Sequence, residues 1–324
     1  MKALFFTFLL AVTFLFHSIS TAQTYPSRPI TIVVPFAAGG PTDTLARIVS
    51  DPMRKLLGQT VVVENVTGAG GSIAVGRVAR AAPDGYTIGI GHWGSHVVNG
   101  AYYTLPFDLL TDLEPVGMIA SNPQVIISKL AVPAKNLKEL IAWSKANQDK
   151  LLVGTGGVAA SAHMGGIYFQ NAIGAKFQFV HYRGGAPALQ ALLSGEVDLY
   201  VTQVSGAVTF TRAGKIRAYA VTAKARQEAA LEIPTVDEAG LPGLYTSVWH
   251  AIWAPKGTPK DIIAKLNATI VETLADATVR KRFGDLGQEI PSREEQTPQA
   301  LAAYHKAEID KWWPLIKATG LKAE

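Results

Sequence analysis

The chain reads as an α/β protein built in two similar halves. Strand-like and helix-like runs alternate along most of its 324 residues. The strand-like runs are continuously apolar, as expected of strands covered by helices on both faces rather than half exposed. Gly-Gly pairs follow four of them, two in each half: Gly39-Gly40, Gly70-Gly71, Gly156-Gly157 and Gly184-Gly185.

Taken in order, the N-terminus "MKALFFTFLLAVTFLFHSISTAQT" places Lys2 before an uncharged apolar stretch from Ala3 to Phe16, then small polar residues. Ser20 and Ala22 fit the small-residue positions of a signal-peptidase site, so residues 1–22 are expected to be a cleaved signal peptide. The apolar run falls short of the ~20 residues of a spanning helix. "ITIVVPF" then leads to a helix over about 43–57, with Leu45, Ile48, Val49, Met53 and Leu56 on one face. "TVVVENV" leads to a helix around 71–81, and "YTIGIGH" to a short polar segment. "EPVGMIASNPQVIISK" is long for one strand and carries Pro123, which suggests a crossover between domains. A second set follows: helix 136–147, strand "KLLVGT", helix 160–173, strand "FQFVHY", helix 186–194, then "VDLYVTQ" and "IRAYAVTA". "VWHAIWAPKG" returns to the first domain, and two amphipathic helices close the chain. The expected domains are 23–123 with 247–324, and 124–246. Trp249, Trp253, Trp312 and Trp313 are expected in the core.

Composition narrows the function. A net charge of +5 spread along the chain argues against nucleic acid, which needs a clustered basic face. Without cysteine there are no disulfides, thiol chemistry or lipid-bearing N-terminal Cys. The histidines lack metal-ligand spacing, and no metal or cofactor is expected. "PFAAGGPTD" lacks G-x-G-x-x-G, and no phosphate-binding G-x-x-x-x-G-K-[ST] occurs; Glu64 mimics a ribose-binding acid, but Asp43 would repel a pyrophosphate. Thr42 and Asp43 are better read as helix caps. Ser161 and His163 are close in sequence, yet no G-x-S-x-G surrounds the serine, which disfavours an exported hydrolase.

What remains is an anion cleft. In open parallel sheets ligands bind outside the carboxyl ends of the strands, so the four Gly-Gly loops share one edge. Helix N-termini there offer unpaired N–H groups and a favourable dipole. Arg183 could contact a carboxylate in bidentate fashion. His92 and Trp93 lie at the cleft edge, as lining or as packing.

The segments "YPSRPITIVVPFAAGGPTDTLAR", "VVVENVTGAGGS", "APDGYTIGIG", "LPFDLLTDLEPV", "YRGGAPALQALLSGEVDL", "AGKIRAYAVTA" and "IPTVDEAGLPG" occur in order across the mature chain. In this it resembles the Bug-type extracytoplasmic solute receptors of tripartite tricarboxylate transporters. The resemblance implies a periplasmic two-domain flytrap fold, each domain a mostly parallel sheet flanked by helices, closing by a hinge on a small carboxylate. It implies membrane transporter subunits as partners, or a signalling partner for a sensory relative; a monomer is expected. The family's contacts map onto Phe36, Ala38, Gly39, Gly40, Thr42 and Asp43; onto Gly68, Ala69 and Gly70; and onto Ser95 and His96. In the second half they map onto Gly157, Ala159, Ala160, Ser161, His163, Tyr182, Arg183 and Gly184. Several positions depart from the usual pattern. Val66 replaces a frequent basic residue, Ala159 and Ala160 replace Gly and a hydroxyl residue, and Thr202 stands where Asp is common. His92 and Trp93 are bulkier than usual. A ligand with an amino group is disfavoured, and a dicarboxylate or an aromatic carboxylate is expected.

Overall fold

A computed structural model describes residues 25–36, 38–182, 185–318 and 320; the expected signal peptide, Arg183 and Gly184 lie outside the described residues. Among the described residues nine strands run β1 Ile30–Val34, β2 Val61–Asn65, β3 Thr87–His92, β4 Leu113–Lys129, β5 Leu152–Thr155, β6 Gln178–His181, β7 Leu199–Gln203, β8 Ile216–Val221 and β9 Ser247–Pro255. The helices are α1 Pro41–Leu57, α2 Ser72–Ala79, α3 Asn99–Tyr102, α4 Leu137–Ala146, α5 Ser161–Ile173, α6 Gly185–Ser194, α7 Val204–Arg212, α8 Lys260–Ala275, α9 Ala277–Asp285 and α10 Pro298–Ala318.

The strands form one curled sheet in the order β2-β1-β3-β9-β4-β7-β5-β6, with β8 also on β4. Pairing is parallel where α/β units supply neighbouring strands: β1 with β2 and β3, and β5 with β6 and β7. It is antiparallel wherever β4 or β9 enters. The long "EPVGMIASNPQVIISK" run is a single strand that serves both halves. Its ladder with β9 runs from Leu113↔Pro255 to Pro123↔Ser247. From Gln124↔Gln203 onward its partners are β7 and β8. Pro123 has no N–H to give, and it falls where one ladder hands over to the other.

Alternation along β9 sorts the core of the first half. Ile252 and Ala254 join Ile30, Ile32, Ile88 and Ile90 on the face covered by α1 and α8. Trp249, Ala251 and Trp253 join Val33 on the opposite face, under α2 and α10. The second cluster also takes in Met164 and Ile167 of α5, so the apolar packing is continuous between the halves. Trp249, Trp253 and Trp312 are buried as expected; Trp313 is half-buried and donates its indole N–H to the Val97 carbonyl at 2.9 Å.

Several elements differ from expectation. Helix α1 starts at Pro41, because proline suits the first helical position, where its missing N–H costs nothing. Gly40 is the cap and supplies no side chain, so Thr42 and Asp43 lie inside the first turn with other partners. Leu57 rather than Leu56 is buried. Asp276 ends α8 in an extended conformation and caps α9, accepting from the N–H groups of Thr278 and Val279. The segment after β3 is a buried π-turn, Gly94–Val98, continuing into α3. Its displaced carbonyls are satisfied from α10: His305 Nε2 lies 2.6 Å from the His96 carbonyl, and Trp313 donates to Val97.

Where β4 changes partners, three buried polar residues tie the strands together. The Thr222 hydroxyl accepts from the Gln124 N–H (3.1 Å) and the Thr246 hydroxyl (2.9 Å), and it lies 2.8 Å from the Thr246 carbonyl. Thr222→Val keeps the shape and leaves the Thr246 hydroxyl without its acceptor, while the Gln124 N–H keeps only the Thr246 carbonyl at 3.2 Å. It is expected to lower unfolding stability by about 1–3 kcal/mol in urea titration; an unchanged midpoint would show that the network is dispensable.

Candidate functional site

The loop after β1 is held by one buried carboxylate. Asp43, 1% exposed, accepts from the Gly39 N–H (2.8 Å), from Arg47 Nε (2.9 Å) and from Asn65 Nδ2 (3.0 Å). Asn65 also donates to the Phe36 carbonyl at 2.9 Å, so both ends of the loop are tied to β2. The Arg47 hydrogen bond, reinforced by Gly39 and Asn65, holds the Asp43 carboxyl down to about 2 against the opposing effect of burial. Thr42 is buried with its hydroxyl 3.1 Å from His250 Nε2. Glu64 is spent on a bidentate pair with Arg77 at 2.6 and 2.7 Å.

The other loops follow the same logic. Gly68, Ala69, Gly70 and Gly71 all have positive φ, which curls the backbone after β2 into a tight turn. A Cβ on Gly71 would stand 2.9 Å from Pro35. His92 stacks on Phe36 with centroids 4.5 Å apart, and its Nδ1 accepts the Gly94 N–H at 2.8 Å. In the second half, His163 Nδ1 accepts the Ala159 N–H at 3.1 Å. Burial lowers both imidazoles to about 4, so both are neutral acceptors at pH 7. Ala69 and Ala159 are the non-glycine residues with positive φ among those described, at 45° and 58°. Such strain concentrates at ligand clamps, and here one instance falls in each half.

Between the halves lies a cleft of about 340 Å³. Gly70, His92, Trp93, Ala159, Ala160 and Ser161 line it. Helix α5 opens there, and its cap, Ala160, offers no side-chain acceptor, so its first turn is left for a ligand. Gly39 instead lines a second cleft of about 390 Å³, with Asn122, Gln203 and Gln288. Phe36 backs His92, while Ala38, Gly40, Gly68, Ala69 and Gly157 belong to the loop backbones around these clefts. Ser95 and His96 are buried at 1% and 3% exposure, with Ser95 Oγ 3.0 Å from His96 Nδ1 and His96 stacked on Trp253 at 3.7 Å. They support the loop from beneath. Tyr182 packs among apolar residues and directs its hydroxyl to Glu196 at 3.4 Å. Thr202 is half-buried in β7, opposite Val125.

Sequence reasoning missed Gly94, Val98, Asn99, Tyr102, Tyr103 and Val248, which with Val158 complete the lining. The adjacent tyrosines of "NGAYYT" were the available signal. The described residues hold no group of His, Asp or Glu arranged for a metal. Backbone N–H groups and a helix terminus suit an anion.

A profile of the family described as "Tripartite tricarboxylate transporter family receptor" matches residues 45–321. The chain belongs to this family. It is similar to the periplasmic binding protein BugD, with 40% identity and a TM-score of 0.73 over 92% of this chain and all of that one. It is similar to MatC from Rhodopseudomonas palustris, solved with bound malate, with 38% identity and a TM-score of 0.74 over 90% of this chain and all of that one. Another R. palustris protein, solved with adipate, shares 32% identity with a TM-score of 0.76 over 92% of this chain and all of that one. The Bug-type resemblance and the α/β binding-protein fold therefore hold for this receptor.

Two outcomes follow from how the receptor braces its loops. Asp43→Ala strands the Gly39 and Asn65 donors and should destabilise by about 1–3 kcal/mol while weakening ligand binding; calorimetric melting and titration measure both. The second concerns pH. His92 and His163 are neutral when folded and protonate more readily unfolded, so their contribution is complete above about pH 6.5 and declines toward about pH 4. Each contributes at most about 1.4 kcal/mol per pH unit in that window. His163→Asn keeps an acceptor and cannot titrate, so its stability should fall less steeply between those limits; a parallel fall would assign the acid sensitivity elsewhere.

Proposed function

We propose that this receptor captures a small organic carboxylate in the periplasm and delivers it, unchanged, to the membrane subunits of a tripartite tricarboxylate-type transporter. The single observation that carries the reading is the cleft. It is bounded by loops from both halves and floored by an uncapped helix N-terminus. The malate and adipate bound by the two similar receptors support a carboxylate as ligand.

The mechanism is capture by closure. Residues 23–123 with 247–324 form one domain and 124–246 the other, the boundary lying where β4 exchanges β9 for β7 and β8. The strands crossing between the domains act as the hinge. Ligand contacts that exist only when the domains meet drive closure, because a ligand bound equally to both states shifts nothing. Backbone N–H groups around Gly70 and Ser161 stabilise the carboxylate charge, with Arg183 and Gly184 as the further contacts expected from the sequence. The monomer works without metal or cofactor, exported by a signal peptide cleaved near Ala22. No helix among the described residues is long and apolar enough to cross a membrane.

The test is a thermal-shift panel of mono-, di- and tricarboxylates with the form lacking residues 1–22. A ligand at 100 times its dissociation constant should stabilise the native state by about 2.7 kcal/mol, and it should be recovered chemically intact. Absence of any shift, repeated after unfolding and refolding to strip copurified ligand, would refute the carboxylate reading. Turnover of the bound compound would refute capture without chemistry.

A further inference from the structure

The strands that join the halves have a second side. Asn122 of β4 pairs with Val248 of β9, so their side chains share one face of the ladder. Asn122 lines the cleft of about 390 Å³ and Val248 that of about 340 Å³. Ser121 and Ser247 point to the other face, where their hydroxyl oxygens lie 2.6 Å apart. Ser121 there lines a groove of about 930 Å³. Its walls again come from both halves: Arg226 and Glu228 from the second, Arg280, Glu289, Glu295 and Tyr304 from the first. Gly287 of the groove lies against Ser205 of α7, which lines the 390 Å³ cleft; a Cβ on that glycine would stand 2.5 Å from the serine Cβ. Clefts and groove therefore lie on opposite sides of one crossing. A rotation of the halves about it that narrows the clefts widens the groove.

The groove carries an unbalanced charge. The Glu289 backbone exchanges two hydrogen bonds with Ser121, at 2.7 and 2.8 Å, which fixes the residue beside the crossing. Its carboxyl is half-buried. Burial is the main cause that raises its pKa; a hydrogen bond from Gln227 opposes the rise, and the charges of Glu228 and Glu295 add to it. No cation is among the groups that act on it. Arg226 is spent on Glu238 at 2.9 Å, and Arg280 on α9 makes no ion pair among the described residues. Tyr304 of α10 is kept neutral by burial. Like charges thus face each other across the groove, Glu228 on the second half and Glu289 on the first.

Resting on the capture-by-closure reading, we propose that Glu228 and Glu289 act as an electrostatic spring behind the hinge: their repulsion widens the groove, biases the halves toward closure in front, and so tightens the hold on the captured carboxylate. Closure moves the two carboxylates apart. Part of their repulsion is released only in the closed state, which is the differential interaction a population shift requires. While the ligand-free receptor is mainly open, a change in its closed fraction passes directly into the apparent dissociation constant. A charge pair with an exposed member is worth about a twofold to fivefold change.

Isothermal titration with malate, adipate, citrate and benzoate tests this on a charge series at Glu228, which is exposed and lines neither cleft. Glu228→Gln should weaken the tightest of these probes about twofold to fivefold, and Glu228→Lys should weaken it further. The gap between Glu228→Lys and the unsubstituted receptor should shrink at about 1 M salt, where the screening length falls to about 3 Å. Glu289→Gln should bind as weakly as Glu228→Gln yet melt no earlier than the unsubstituted receptor, because it removes a half-buried charge that no cation balances. The double variant should bind no more weakly than either single one, since both remove the same interaction. Equal affinity in Glu228→Lys would overturn this inference and leave capture by closure intact. Losses that multiply in the double variant, or earlier melting of Glu289→Gln, would overturn it as well. Failure of all four carboxylates to bind the unsubstituted receptor would overturn both readings.

Discussion

Strand β4 is hydrogen-bonded to β9 from Leu113 to Pro123, and to β7 and β8 from Gln124 to Lys129. Because one strand belongs to both ladders, the two halves cannot separate without breaking backbone hydrogen bonds in the interior. Gln124, Thr222 and Thr246 fasten the handover with buried side-chain and backbone bonds. The parallel units on either side are then oriented so that the loops leaving the carboxyl ends of β1, β2 and β3 meet those leaving β5 and β7. The cleft follows from that shared strand.

The loops themselves are braced by one repeated device. A buried side-chain acceptor takes a backbone N–H from the loop: Asp43 from Gly39, His92 from Gly94, His163 from Ala159. Each brace uses up one donor and fixes the curve of the backbone, leaving neighbouring N–H groups and the helix termini to the cleft. Electrostatics divides the labour. The one braced loop served by a carboxylate has Arg47 and Asn65 to hold its charge. The two histidines have no such partners and remain neutral, since burial disfavours an imidazolium. Positive φ at Ala69 and Ala159 shows the backbone bent past the usual preference of an L-residue on both sides of the cleft.

For a receptor this arrangement has a clear advantage. Rigid loops whose donors are already aimed lose little entropy when a ligand binds, so more of the contact energy is available to hold the halves together. In the proposed reading, amide dipoles take the ligand's charge, and the side chains around them are free to discriminate by shape and polarity.

The amino-acid order alone determined the α/β class, the two-half organisation, the positions of the Gly-Gly loops and the burial of Trp249, Trp253 and Trp312. These rest on local periodicity and on conformations open chiefly to glycine, which a short window of sequence carries. It also pointed to the loops that flank the cleft, and to membership of a receptor family by an ordered series of segments. Only the tertiary structure decided which side chains face the cleft. The π-turn at Gly94–Val98 departs from the 3.6-residue period, so no helical rule tells that Trp93 and Val98 line the cleft while Ser95 and His96 turn into the core. Val248 arrives from a strand that returns after the whole second half has folded, and Tyr102 and Tyr103 from a turn supported by α10. Their places depend on contacts between residues far apart in the chain, and no local pattern encodes those.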